Sequence, residues 1–276
     1  MSATSRWYAA PSSLRPPAAR EVHVFCASLD AAGEEEAVGV LSADERARAS
    51  RFHFERDRRH FRVARGLLRR LLGLYLDLDP GAIRFAYGPA GKPTLLSPGG
   101  LHFNLSHSGG VAVLAFARDR ALGVDVERER PVPELDSIAL RYFSAQEGAD
   151  LRVLAEPERT RAFFRCWTRK EAFIKATGEG LTRALDAFDV TLAPGERARL
   201  RRVEGDPEAP ERWWLEDLEP PAGFAAALAL EGRPDRVARW TIKPWGEKSH
   251  EPRRAGRQDD LQGGAEPRGA VLDLAG

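Results

Sequence analysis

Apolar residues at Phe61, Ala64, Leu68, Leu71 and Tyr75, with Leu67 and Leu72 beside them, recur at the spacing of one helix face. They predict a long helix over residues 56–75, broken by Asp79-Pro80-Gly81. A second helix is expected from about 157 to 177, stopping at Gly178, a residue that readily takes the left-handed conformation after a helix. Ser42-Ala-Asp-Glu45 and Ser144-Ala-Gln-Glu147 are capping boxes that open shorter helices, since each glutamate can reach back to the N-cap amide. Runs at 22–28, 83–87, 188–192, 200–203, 213–218, 224–231 and 237–242 read as strands, and 88–91 as a turn. The β-rich runs 111–117 and 122–127, joined by a short charged turn, are expected to form an antiparallel hairpin. Pro131 and Pro133 interrupt regular structure before helices resume near Glu134. Beyond Trp245 the chain is charged, rich in Gly and Arg and without pattern, which reads as a disordered tail.

The two halves of this pattern resemble each other. Leu41-Ser-Ala-Asp-Glu45 echoes Phe143-Ser-Ala-Gln-Glu147, and Phe61-Arg-Val-Ala-Arg65 echoes Phe164-Arg-Cys-Trp-Thr168, at offsets of 102 and 103 residues. The expected fold class is α+β: two pseudo-duplicated halves, each of helices packed on a small antiparallel sheet, with the active site in the cleft between them. The expected spans are 1–20 as a flexible lead, 21–118 and 119–245 as the halves, and 246–276 as the tail. Under the same offset, Leu67, Leu68 and Leu72 of the first long helix correspond to Lys170, Glu171 and Lys175 of the second. Charges at core-facing positions are costly unless paired, metal-bound or open to a cleft, and the cleft between the halves is the expected place.

Composition narrows the classes. Of 276 residues, 43% are hydrophobic and 30% charged, with a net charge of +1, which gives no reason to expect nucleic acid or a membrane surface as partner. Two cysteines without metal-ligand spacing, and an N-terminus without an apolar targeting core, point to the cytoplasm. The longest apolar run, 224–230, is too short to span a bilayer. Only five lysines stand against thirty-seven arginines, and three of them, Lys92, Lys170 and Lys175, fall in the segments that carry candidate chemistry.

Gly123-Val-Asp125-Val-Glu127 puts two carboxylates on one face of a strand, where they repel unless they face water or share a cation. In Trp167-Thr-Arg-Lys170-Glu171-Ala-Phe-Ile-Lys175, Glu171 and Lys175 lie one helical turn apart, as a surface ion pair or as a functional pair. The three carboxylates are the hard oxygen ligands that Mg²⁺ takes, completed by phosphate and water. Phe103-Asn-Leu-Ser106-His107-Ser-Gly-Gly110 reads as a loop whose small residues let backbone amides approach an anion, and Gly91-Lys92-Pro93 adds a charge on a turn. Arg46, Arg48, Arg51, Arg56, Arg58 and Arg59 make an arginine-dense stretch, equally readable as a solvated face.

The series GKP, FNLSHSG, GVDVE and WTRKEAFIKATGEGL closely resembles the Sfp-type 4′-phosphopantetheinyl transferases, from about Leu41 to Val190. The resemblance implies transfer of the phosphopantetheine arm of coenzyme A to a serine of an apo carrier protein, with release of 3′,5′-ADP and dependence on Mg²⁺. It implies that Asp125, Glu127 and Glu171 hold the metal. Arg48, Gly91, Lys92, Pro93, Ser106, His107, Asp125, Glu171 and Lys175 would bind coenzyme A, with His107 and Arg48 near its 3′-phosphate. Glu171, or a water it orients, would take the serine proton, and Lys175 would neutralise the pyrophosphate. A monomer is expected. One position often basic in the family is Glu45 here, which leaves open whether Arg46 or Arg48 serves the phosphates. Two other classes stand beside this one: a non-enzymatic module that grips a carrier protein or nucleotide in the same cleft, and a nucleic-acid binder using the arginine stretch, against which the charge balance speaks.

Overall fold

The computed structural model describes residues 7–11, 13–30, 33–89, 91–96, 99–180 and 183–243. The expected tail lies outside them. The first half runs β1 (Tyr8–Ala9), β2 (Glu21–Ser28), α1 (Glu34–Val40), α2 (Ala43–Ala49), α3 (Glu55–Leu76), β3 (Phe85–Tyr87), β4 (Pro93–Leu95), β5 (Leu101–Ser108) and β6 (Val111–Arg118). The second runs β7 (Leu122–Arg128), α4 (Leu135–Tyr142), α5 (Ala145–Arg152), α6 (Glu158–Thr177), β8 (Phe188–Val190), β9 (Leu200–Val203), α7 (Ala209–Arg212), β10 (Trp213–Leu218) and β11 (Phe224–Glu231), followed by β12 (Arg236–Thr241). Both expected capping boxes form, at the starts of α2 and α5. These helices start 102 residues apart, at Ala43 and Ala145, and the long helices α3 and α6 start 103 apart, at Glu55 and Glu158.

The duplication extends to the sheets. The first contains β2-β6-β5 and the second β7-β11-β10, the same antiparallel order built from equivalent strands. Val63, Ala64, Leu67, Leu68, Leu71 and Leu72 of α3 are buried in one core with Phe25, Leu114 and Phe116 of the first sheet. Phe163, Ala172, Phe173 and Ile174 of α6 share another with Leu215, Ala227 and Ala229 of the second. Between the sheets lies a third core, in which Val22, Val24, Val113 and Ala115 meet Val124, Val126, Leu228 and Leu230. The layers are therefore helix, sheet, sheet, helix. The chain end breaks the symmetry: β12 lies parallel to β2 in the first sheet and is itself paired with β1. Part of the expected flexible lead is thus a strand, at Tyr8–Ala9.

Two expectations are corrected. The runs at 111–117 and 122–127 do not form a hairpin: β6 pairs with β5 and β2, while β7 pairs with β11 in the other sheet. The hairpin is β5–β6, closed by Gly109 and Gly110, whose φ values of 54° and 85° suit the two-residue turn that matches strand twist. All but the last residue of β6 are buried, so its sequence lacks the alternation that would have shown which neighbour it takes. The expected loop at 103–110 is largely strand β5, in which Leu101, Phe103 and Leu105 alternate with polar residues, ending in that turn.

Candidate functional site

On β7, Leu122, Val124 and Val126 fill the core between the sheets, so Gly123, Asp125 and Glu127 turn to the opposite face, towards α6. Gly123 permits the contact. A β-carbon there would lie 2.1 Å from the Ala172 carbonyl oxygen and 2.4 Å from the Ala176 nitrogen, so the strand and helix backbones touch directly. The third wall is β5, the edge of the first sheet. Its Phe103 and Leu105 pack towards α3, and the alternate residues Asn104, Ser106 and Ser108 line the seam with β7. Asn104 Oδ1 accepts from the Val124 amide at 2.8 Å, Ser106 Oγ lies 2.8 Å from Asp125 Oδ1, and Ser108 Oγ lies 2.8 Å from Glu127 Oε2. Polar residues at every second position were the available signal for Asn104 and Ser108, which the motif reading passed over as candidates.

Lys175 crosses the cleft. Its ammonium is 2.5 Å from Asp125 Oδ1 and 3.1 Å from Ser106 Oγ, and it makes no ion pair back along the helix to Glu171 among the described residues. Burial works against its charge, but Asp125 and Glu171 outweigh that and raise the lysine above its ordinary range. Asp125 is 2% exposed, and its second oxygen, Oδ2, is buried without a hydrogen-bond partner among the described residues. Burial, reinforced by the charge of Asp125, pushes the Glu127 carboxyl up to about 7. Burial likewise raises Glu171, with Lys175 opposing and Asp125 adding to the shift. An orphaned carboxylate oxygen beside two carboxyls whose pKa values burial raises is the signature of a place that gains from a cation. Hard oxygen donors suit Mg²⁺, although no three carboxylate, imidazole or thiolate groups are preassembled as a metal site among the described residues. Asp125, Glu127 and Glu171 thus fit as a partial ligand set that phosphate and water would complete.

The other expected site residues fall around this centre. His107 lies on the opposite face of β5 from Ser106. Burial first, then the charges of His60 and Lys175, lower its pKa to about 4, so the ring is neutral at neutral pH. Arg48 is exposed on α2 with its guanidinium 5.8 Å from the ring of Phe61, next in sequence to His60, so Arg48 and His107 both border the first half of α3. Arg46 donates to the Leu41 carbonyl. Gly91 adopts φ 75° in the turn between β3 and β4, and Pro93 opens β4 opposite Tyr87. The Lys92 ammonium leaves this turn and reaches three backbone carbonyls, of Leu122, Lys175 and Ala176. Burial lowers it to about 8.

Lys170 does not join the cleft, contrary to the expectation drawn from the repeat. It is buried against Glu147, at 2.7 Å, and donates to the carbonyls of Leu185 and Phe188. Glu147 is the capping-box glutamate of α5, and its counterpart Glu45 is engaged in the same way by Arg65 and Arg69 of α3, at 2.5 and 2.6 Å. Each half therefore ties its capping glutamate to its long helix through a buried cation.

Comparison with known proteins matches residues 121–229 to a family model described as the 4′-phosphopantetheinyl transferase superfamily. Residues 32–119 match one described as 4′-phosphopantetheinyl transferase, N-terminal. The chain is 40% identical to the 4′-phosphopantetheinyl transferase HetI of Nostoc sp. over 217 residues, 77% of this chain and 88% of that protein. It is 34% identical to the 4′-phosphopantetheinyl transferase Sfp of Bacillus subtilis, over 56% of this chain and 68% of Sfp. It is 29% identical to the human L-aminoadipate-semialdehyde dehydrogenase-phosphopantetheinyl transferase, over 72% of this chain and 69% of that one.

Proposed function

The chain belongs to the 4′-phosphopantetheinyl transferase superfamily, and we propose that it performs its transfer in a magnesium-dependent step at the cleft of β5, β7 and α6. The activity of the family is transfer of the phosphopantetheine arm of coenzyme A to a carrier protein. The acceptor proposed here is a carrier serine hydroxyl, and the leaving group is 3′,5′-ADP. The observation that carries the reading is the meeting of Asp125, Ser106 and Lys175 at hydrogen-bond distance, with the raised carboxyls of Glu127 and Glu171 alongside.

When bound, Mg²⁺ would supply positive charge against the negative charge of the phosphates. Asp125, whose Oδ2 has no hydrogen-bond partner among the described residues, Glu127 and Glu171 are the residues proposed to hold it. Ser106 and Ser108 fix the rotamers of Asp125 and Glu127 through their hydroxyls. The Glu171 carboxylate, directly or through a water, takes the proton from the carrier serine as its oxygen bonds to phosphorus. As the bond from phosphorus to the ADP oxygen breaks, Lys175 stabilises the accumulating charge. Its raised pKa keeps it cationic through the neutral range. His107 and Arg48, both bordering α3, are proposed to receive the 3′-phosphate, and Gly91 and Pro93 the nucleotide side of the cleft. The chain is proposed to act as a cytoplasmic monomer. Incubation with coenzyme A, Mg²⁺ and several apo carrier proteins, followed by weighing the carriers, tests the reading. A mass gain of one phosphopantetheine on a carrier serine is expected, and no gain on any carrier would overturn it.

A further inference from the structure

Lys92 belongs to the first half by sequence, yet its ammonium ends in the second. It donates to the carbonyl oxygens of Leu122 at 3.0 Å, Lys175 at 2.5 Å and Ala176 at 3.4 Å. An ammonium has three protons, and here three acceptors face it. Two of these carbonyls lie in the last turn of α6, where no intrahelical amide can reach them and the helix dipole presents its negative end. The third opens β7, three residues before Asp125. At this same contact Gly123 removes any side chain from between strand and helix. The distance between α6 and β7 is therefore a backbone-to-backbone distance, and Lys92 bonds to both sides of it.

We propose that Lys92 is a positioning residue that caps the end of α6 and pins it to the start of β7, fixing the gap across which Lys175 and Glu171 face Asp125. The catalytic pair and the metal carboxylates come from these two elements, so a small slip of one against the other separates the groups that must act together. This assignment rests on the transferase reading, and it moves the Lys92 ammonium from the phosphate contacts to the frame of the site. Lysine suits the role better than arginine. A compact charge can direct donors to three oxygens around one point, whereas a planar guanidinium cannot, although it binds phosphate at least as well.

Two variants separate these roles. Lys92→Met keeps the stem and removes the ammonium, and Lys92→Arg keeps the charge and changes the geometry. With saturating coenzyme A and carrier, both are expected to lower kcat by about tenfold or more while the KM for coenzyme A moves less than about threefold. Hydrogen exchange in the full chain without ligands is expected to speed at the end of α6, near Gly178, by about tenfold in both, with β2 and α3 unchanged. A raised KM with normal kcat in Lys92→Met, restored in Lys92→Arg, would make Lys92 a phosphate ligand and overturn the proposal. Unchanged turnover or unchanged exchange would overturn it too. Should Lys92→Met not fold, Lys92→Arg carries both readouts. Should the wild-type chain modify no carrier, the transferase reading falls, while exchange at the end of α6 still decides whether the tie exists.

Discussion

Glu171 separates a surface residue from a catalytic one. Lys175 turns across the cleft to Asp125, so the i,i+4 pairing that the helix spacing allows is not made. Glu171→Gln is expected to melt near the wild type in chelator, yet to transfer at least about a hundredfold more slowly at saturating Mg²⁺ and coenzyme A. An early-melting variant with normal turnover would return Glu171 to a structural role. Glu45 is the opposite case, a charge kept for the fold. Burial alone would raise its carboxyl, but Arg65 and Arg69, with the capping amide of Ser42, outweigh burial and hold it below the usual carboxylate range. A folded-state pKa below the unfolded one stabilises the fold at neutral pH, and that stability drains as pH falls through the ordinary carboxylate range towards the lowered value. Melting curves between pH 7 and pH 3 are expected to fall more steeply for the wild type than for Glu45→Gln. At neutral pH Glu45→Gln should lose about 3–5 kcal/mol, since Arg65 and Arg69 stay buried without their partner. Equal slopes would mean that Glu45 titrates alike in both states.

Among the elements, the contact of β7 with α6 sets the geometry of the site, and Gly123 is its narrowest point. Gly123→Ala places a methyl against the Ala172 carbonyl and must push the helix away. The expected result is a lower melting temperature and a transfer rate that falls by more than the loss of folded chain explains, read by paired melting and single-turnover assays. Normal transfer would show that strand and helix have slack. This contact also marks how far the sequence could be read. The long helices, the capping boxes and most strands of the second half were legible, because caps and periodic apolar positions are local signals. The carboxylates of Asp125 and Glu127 were legible as a pair because strand alternation is local as well. The Lys92 tie, the burial of Lys170 against Glu147 and the seam through Asn104 and Ser108 were not, since each joins residues far apart in the chain. Nor does the sequence of β6 record which strand it pairs with, being apolar on both faces.

For the whole molecule, one site serves two similar halves. In the first, the positions equivalent to Glu171 and Lys175 are Leu68 and Leu72, both buried in the core, so of the two long helices only α6 carries charges at the positions of the proposed site. Excess chelator is expected to abolish transfer, and Mg²⁺ to raise the melting temperature of the wild type by relieving the crowding of Asp125, Glu127 and Glu171. Asp125→Asn should lose most of that rise, and a wild type that transfers normally in chelator would remove the metal from the mechanism. The position of β12 bears on how such a molecule is made. This strand is among the last described segments to be synthesised, yet it lies against β2, which is among the first. While the ribosome is still making the second half, β2 has β6 on one side and an open row of amides and carbonyls on the other, a template for other nascent chains. The first sheet is completed only when the end of the second half arrives. A gene fragment coding for the first half alone should therefore yield a sticky, incompletely closed product, and the two copies cannot be parted at the duplication boundary without exposing that edge.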